Sequence, residues 1–186
     1  MGHASAALPV IDLASPDVGA ATKSIRHALV DYGFFYVINH GVDDALMKSV
    51  YAESNNFFQQ PMEEKMALRK NSSQRGYIPP DFEGFEADAG GKGDLLECFH
   101  IGSGVDGGSK NDVNQWPPAG RAIESKHGSD HGANAHTDFG MLTLLSTDGT
   151  PGLQICRDKD GRPQLWEDVH HIDGALVVNI GGLLER

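Results

Sequence analysis

Positive charge is scarce. Fifteen lysines and arginines stand against 26 aspartates and glutamates, for a formal net charge of −11. Such a surface lacks the basic stripe that a nucleic-acid backbone or an anionic membrane needs, so neither is expected as a partner. Cysteine is scarce too. Cys98 and Cys156 stand far apart with no CxxC pair, which excludes a disulfide scaffold and suits a reducing, cytoplasmic setting. No apolar run approaches the roughly 18–20 residues of a membrane span. The first seven residues carry neither the basic nor the apolar region of a secretory signal. Glycine and proline, by contrast, are abundant, at 23 and 9 of 186 residues, and many crowd the middle of the chain. Loops are therefore expected there. The hydrophobic share of 39% is still enough for one domain with a real core.

The first seventy residues alternate short strands with helices. Residues 8–13 form an apolar strand. Ser15-Pro16 reads as a helix N-cap and first helical position. Val18, Ala21, Ile25, Ala28 and Leu29 then recur at three- and four-residue steps, which predicts an amphipathic helix stopped at Gly33. Phe34-Phe35-Tyr36-Val37-Ile38 is aromatic and β-branched and reads as a buried strand. Leu46, Met47, Val50, Phe57 and Phe58 mark a second helix, ended before Pro61. Residues 61–66 predict a short third helix with acids in its first turn. His40 follows a strand as a lone histidine, and a structural role is expected for it.

In the middle, Glu97-Cys98-Phe99-His100-Ile101 predicts a strand, and Arg75-Gly76-Tyr77-Ile78-Pro79 an extended segment or turn. Two look-alikes of phosphate loops fail. Gly102-Ser103-Gly104-Val105-Asp106-Gly107 matches GxGxxG, but no helical period follows to supply the N-terminal amides that hold a pyrophosphate. Gly91-Lys92 is followed by Gly93 where a Walker loop carries serine or threonine.

His136-Thr137-Asp138 carries the chemistry. On a strand, residues two apart share a face, so an imidazole and a carboxylate would converge as adjacent metal ligands. With one more histidine they would form the facial triad of non-haem Fe(II) oxygenases, which leaves coordination positions open. Short strands follow in series, at residues 140–145, 152–155, around Trp166 and Val169, and at 175–181. Turn signals separate them, as in a jelly roll.

In this setting the sequence resembles the plant and fungal 2-oxoglutarate/Fe(II)-dependent dioxygenases of the isopenicillin N synthase type. The matching residues run in order along most of the chain. They are Pro9-Val10-Ile11-Asp12-Leu13, the stretch from Gly33 to Gly41, Phe57-Phe58 before Pro61, Glu64-Lys65-Met66, Arg75-Gly76-Tyr77 and Asn114-Gln115-Trp116-Pro117. The stretch from Ala135 to Leu145, Gly152-Leu153-Gln154-Ile155 and Val177-Val178-Asn179-Ile180-Gly181 complete the series. The resemblance implies an α+β fold, with an N-terminal α/β lobe and an incomplete double-stranded β-helix (jelly-roll) core. It divides the chain into a lobe over 8–116, a shortened junction over 117–131 and a jelly-roll domain over 132–186. It implies His136 and Asp138 as iron ligands, with no catalytic residue beyond them. Fe(II), 2-oxoglutarate as cosubstrate and ascorbate are the implied cofactors. O2 and a small organic molecule are the implied partners, and hydroxylation or desaturation is the reaction.

Departures from the family's pattern set further expectations. The family's second histidine ligand, and the Arg-x-Ser pair that holds the far carboxylate of 2-oxoglutarate, lie beyond Arg186. The segment from Trp116 to His136 is shorter than the family's, and Gly182 stands where an aspartate is usual. The alternative expectation is a catalytically inactive truncated form without the distal histidine and the 2-oxoglutarate-binding arginine. His127 and His131, with Asp130, are candidates for an adventitious Zn(II) or Ni(II) site beside His136 and Asp138. His170 and His171 are expected to be exposed polar residues.

Overall fold

The computed structural model describes residues 8–80, 96–102, 114–117, 136–138, 140–156, 158 and 160–183. The look-alike loop at 102–107 lies outside them from residue 103 on. Gly91-Lys92, His127, Asp130, His131 and nearly all of the 117–131 junction lie outside them too. The chain falls into two compact units, one of residues 1–47 with 137–186 and one of residues 48–136. The first unit is thus built from two stretches of sequence that flank the second.

In the first unit the strands are β1 (Val10–Asp12), β2 (Phe34–Ile38), β5 (Leu142–Leu145) and β8 (Leu176–Ile180). They form one sheet in the order β1-β2-β8-β5. β1 runs parallel to β2, and β8 is antiparallel to both β2 and β5. β8 is buried on both sides, as its unbroken Leu-Val-Val run requires. Alternation along β8 splits the core in two. Leu176 and Val178 pack with Ile11, Ala28, Phe35 and Val37, under helix α1 (Val18–Asp31). Ala175 and Val177 pack on the other face with Leu8, Tyr36 and Ile155. Ile155 comes from the hairpin of β6 (Gln154–Cys156) and β7 (Trp166–Asp168). The Tyr36 hydroxyl crosses that second layer to donate to the His170 carbonyl at 2.5 Å.

The helix start differs from expectation. Asp17, not Ser15, caps α1, because its carboxylate accepts from the Ala20 amide at 2.8 Å and so satisfies a free donor of the first turn. At the other end Gly33 takes φ +71° and donates to the Ala28 carbonyl. Helix α2 (Asp44–Phe58) starts in the first unit and ends in the second.

The second unit holds α3 (Met62–Met66) and the antiparallel pair β3 (Gly76–Ile78) and β4 (Cys98–His100). Phe57 is its aromatic hub, with Phe99 at 4.7 Å and Tyr77 at 5.9 Å between ring centres, both edge-on. A buried ionic cluster lies alongside. The Lys65 ammonium donates to Glu97 at 2.5 Å and to the Phe58 carbonyl at 3.0 Å, and the Tyr77 hydroxyl donates to the same Glu97 oxygen at 2.6 Å. Gln115 closes the β3 turn by donating to the carbonyls of Arg69 and Arg75.

Candidate functional site

His136, Thr137 and Asp138 form no strand; the β5 ladder begins only at Leu142. In place of the expected strand, the segment is anchored to the end of β8 by main-chain hydrogen bonds. The Gly182 amide donates to the Asp138 carbonyl at 2.8 Å, and the Gly181 amide donates to the Met141 carbonyl at 3.0 Å. The end of β8 thus grips the approach to β5 by its main chain. Gly181 is buried, and a Cβ placed on it would lie 2.7 Å from the Asp138 carbonyl oxygen and closer still to that of Gly140. Only glycine permits this approach. Gly182 is different: a Cβ there would meet nothing nearer than 3.7 Å, so a side chain at that position has room.

Asp138 is half-buried and His136 is exposed. The Asp138 carboxylate accepts a hydrogen bond at 2.7 Å from the side-chain amide of Asn179, near the end of β8. The same alternation that sorts the core puts Asn179 on the face of Val177, opposite Thr143 in the ladder. Sequence reading missed Asn179, since it sits in an apolar run that reads only as a barrel strand. The available signal was its polarity in an otherwise buried strand. Among the described residues no three His, Cys, Asp or Glu side chains gather closely enough to hold a metal ion.

Among the described histidines, His40 and His171 make ring hydrogen bonds that give them structural roles. His40 accepts at Nδ1 from the Val42 amide and faces the Gly174 carbonyl with Nε2 at 3.0 Å. That pattern fixes the neutral tautomer with the proton on Nε2. His170 and His171 are exposed, as expected. His171 bridges the Thr147 hydroxyl and Asp173. Asp148 is held below the usual carboxylate range, first by the Thr150 amide and hydroxyl and more weakly by His171. His100 is pushed down by burial and then by the Lys70 charge. Tyr77 is pushed up by burial, by its bond to Glu97 and by the nearby charge.

Comparison with known proteins converges on one family. The family described as "non-haem dioxygenase in morphine synthesis N-terminal" matches residues 8–119, and the "2OG-Fe(II) oxygenase superfamily" matches residues 114–186. Azadirone synthase of Melia azedarach is 33% identical, covering 96% of this chain and 73% of that protein. Kihadalactone A synthase of Citrus sinensis is also 33% identical, covering 96% of this chain and 72% of that one. The Melia alignment spans 242 positions against 186 residues here, so at least 56 of its positions face no residue of this chain. Among solved structures, a full-length Neurospora crassa protein in complex with alpha-KG matches with a TM-score of 0.75 at 22% identity, over 95% of this chain and 74% of that one. The fold is therefore α+β with the jelly-roll core of these oxygenases.

Proposed function

Because this chain belongs to the 2OG-Fe(II) oxygenase superfamily, we propose that it oxidises a small organic molecule, by hydroxylation or desaturation, with His136 and Asp138 as two of its iron ligands. The match to the 2OG-Fe(II) oxygenase superfamily, and a rice relative named as a flavanone 3-dioxygenase, support oxidation at Fe(II) with O2 and 2-oxoglutarate. The observation that carries the residue assignment is the anchored segment. Asp138 is bonded through its main chain to Gly182 and through its side chain to Asn179. A carboxylate so tethered, with an imidazole two residues earlier in the chain, presents the hard oxygen and borderline nitrogen donors that suit Fe(II). Fe(II), when bound, supplies the centre at which 2-oxoglutarate and O2 react. The chain's own part is to hold the donors. Glycine at 181 brings the two backbone stretches into contact, and the β8 ladder keeps that contact rigid.

The names of the two plant relatives, each a synthase of a small organic product, support a small-molecule substrate. The two cysteines are half-buried and form no disulfide, which supports a reducing compartment such as the cytoplasm, where ascorbate would keep the metal reduced. No described helix is long and apolar enough to cross a membrane. Purified chain with Fe(II), ascorbate and 2-oxoglutarate is expected to release succinate, and His136→Ala and Asp138→Ala are expected to abolish that release. Metal-dependent release that survives both substitutions would overturn the assignment.

A further inference from the structure

Asn179 is polar in a strand whose preceding residues, 175–178, are all buried. Its neighbours across the sheet are Phe34 on β2 and Thr143 on β5, so it stands on the central strand, bonded on both sides. A polar group in that position needs a partner, and it has one. The amide donates to Asp138 Oδ2 at 2.7 Å, with a much weaker contact at 3.5 Å to the Ile180 carbonyl. The two residues are 41 apart in sequence, so the bond is tertiary and not a local turn.

The type of donor matters. A carboxylate bound by lysine or arginine would be oriented, but its charge would be offset by a cation that repels any divalent metal nearby. A neutral amide orients the carboxylate without itself offsetting its charge. Metal-ligating carboxylates are characteristically held by a second group that fixes their orientation. The main-chain bond from Gly182 fixes where Asp138 begins, and the Asn179 amide fixes the rotation of its carboxylate.

We propose that Asn179 is a positioning residue that sets the Asp138 carboxylate for a divalent metal ion. The proposal rests on Asp138 being a metal ligand. It is tested on the full chain with Co(II), whose ligand-field spectrum reports coordination without turnover. Asn179→Leu keeps the four-atom branched shape, though with greater volume, and removes the donor, and Asn179→Ser keeps a smaller polar group that falls short of Oδ2. Both are expected to weaken Co(II) binding by about 10- to 100-fold and to alter the ligand-field band, while far-UV circular dichroism stays that of the parent. His136→Ala and Asp138→Ala, measured alongside, test the ligand assignment separately. If these two lose Co(II) binding while a folded Asn179 variant keeps its affinity within about twofold and its band unchanged, the positioning role is refuted and the ligands stand. If neither ligand variant changes Co(II) binding, the ligand assignment falls and the positioning role falls with it. Should Asn179→Leu fail to fold, Asn179→Ser alone decides by the same criteria.

Discussion

Replacing Glu97 by leucine asks how much the buried cluster of the second unit depends on its one anion. The Lys65 side chain is 7% exposed and that of Glu97 28%. Glu97 gathers two donors on one oxygen, the Lys65 ammonium and the fully buried Tyr77 hydroxyl. In Glu97→Leu the ammonium keeps the Phe58 carbonyl at 3.0 Å and the Tyr77 ring face at 5.4 Å, but no counter-charge. Breaking a buried pair from one side costs about 3–5 kcal/mol, because the stranded charge has lost its compensation. The partial exposure of Glu97 puts the expected loss at the lower end, about 3 kcal/mol. For a chain of this size that lowers Tm by about 6–12 °C. The companion variant Lys65→Met/Glu97→Leu removes both ions and fills the space with apolar groups, so desolvation of the charges no longer opposes folding. It is expected to recover most of the loss. Thermal unfolding followed by near-ultraviolet circular dichroism measures the parent, Glu97→Leu, Lys65→Met and the double variant. A double variant that loses as much as the two single variants combined would show that Lys65 and Glu97 do not act as a pair, and the reasoning would fail.

Other consequences follow from the same contacts. Gly181→Ala forces a methyl group against the Asp138 and Gly140 carbonyls; Co(II) affinity and Tm should both fall, and unchanged values would show that the segment does not depend on this close approach. The Tyr77 hydroxyl titrates higher folded than unfolded, chiefly through burial. Its contribution is therefore complete below pH 10 and is lost as pH rises above it, so unfolding followed from pH 8 to 11 should show stability falling at the alkaline end, and less so in Tyr77→Phe. His100 titrates lower folded than unfolded, first through burial. Its contribution is present above about pH 6.5 and is lost as pH falls below that, which His100→Gln should blunt in melts between pH 5 and 7.

The strands were legible where composition is decisive. Phe34-Phe35-Tyr36-Val37-Ile38 and Leu176-Val177-Val178 can only be buried strands, and both are. Their partnership was not legible, because pairing across a long sequence separation leaves no local pattern. The cap of α1 shifted by two residues because Ser15 and Asp17 are both good caps, and only the tertiary path decides which carboxylate or hydroxyl meets the free amides. The His136-Thr137-Asp138 motif was visible as a motif, while its conformation was not: the grip of Gly181 and Gly182 ends the ladder before it reaches Asp138. Asn179 and the Lys65–Glu97–Tyr77 cluster stayed hidden for one shared reason. Each is a polar residue whose partner is more than ten positions away, and a lysine on a short helix reads by default as solvated.

The pairing of β2 with β8 also sets the order in which this protein can be made. Tyr36 and His170, joined across that layer, are 134 residues apart. Closing so long a loop costs about 2 kcal/mol more than closing one of about ten residues. The larger effect is temporal. At about 5–20 residues per second, ribosomal synthesis leaves Phe34-Phe35-Tyr36-Val37-Ile38 without its antiparallel partner for on the order of ten seconds. During that interval one of the most apolar stretches in the chain has β1, α1 and Met47 of α2 to shelter it among the described residues, but not β8. Ribosome-arrested chains ending before Leu176 should leave this strand open to protease and to chaperone capture, and chains carrying a C-terminal linker long enough to bring Leu176–Ile180 out of the exit tunnel should close it.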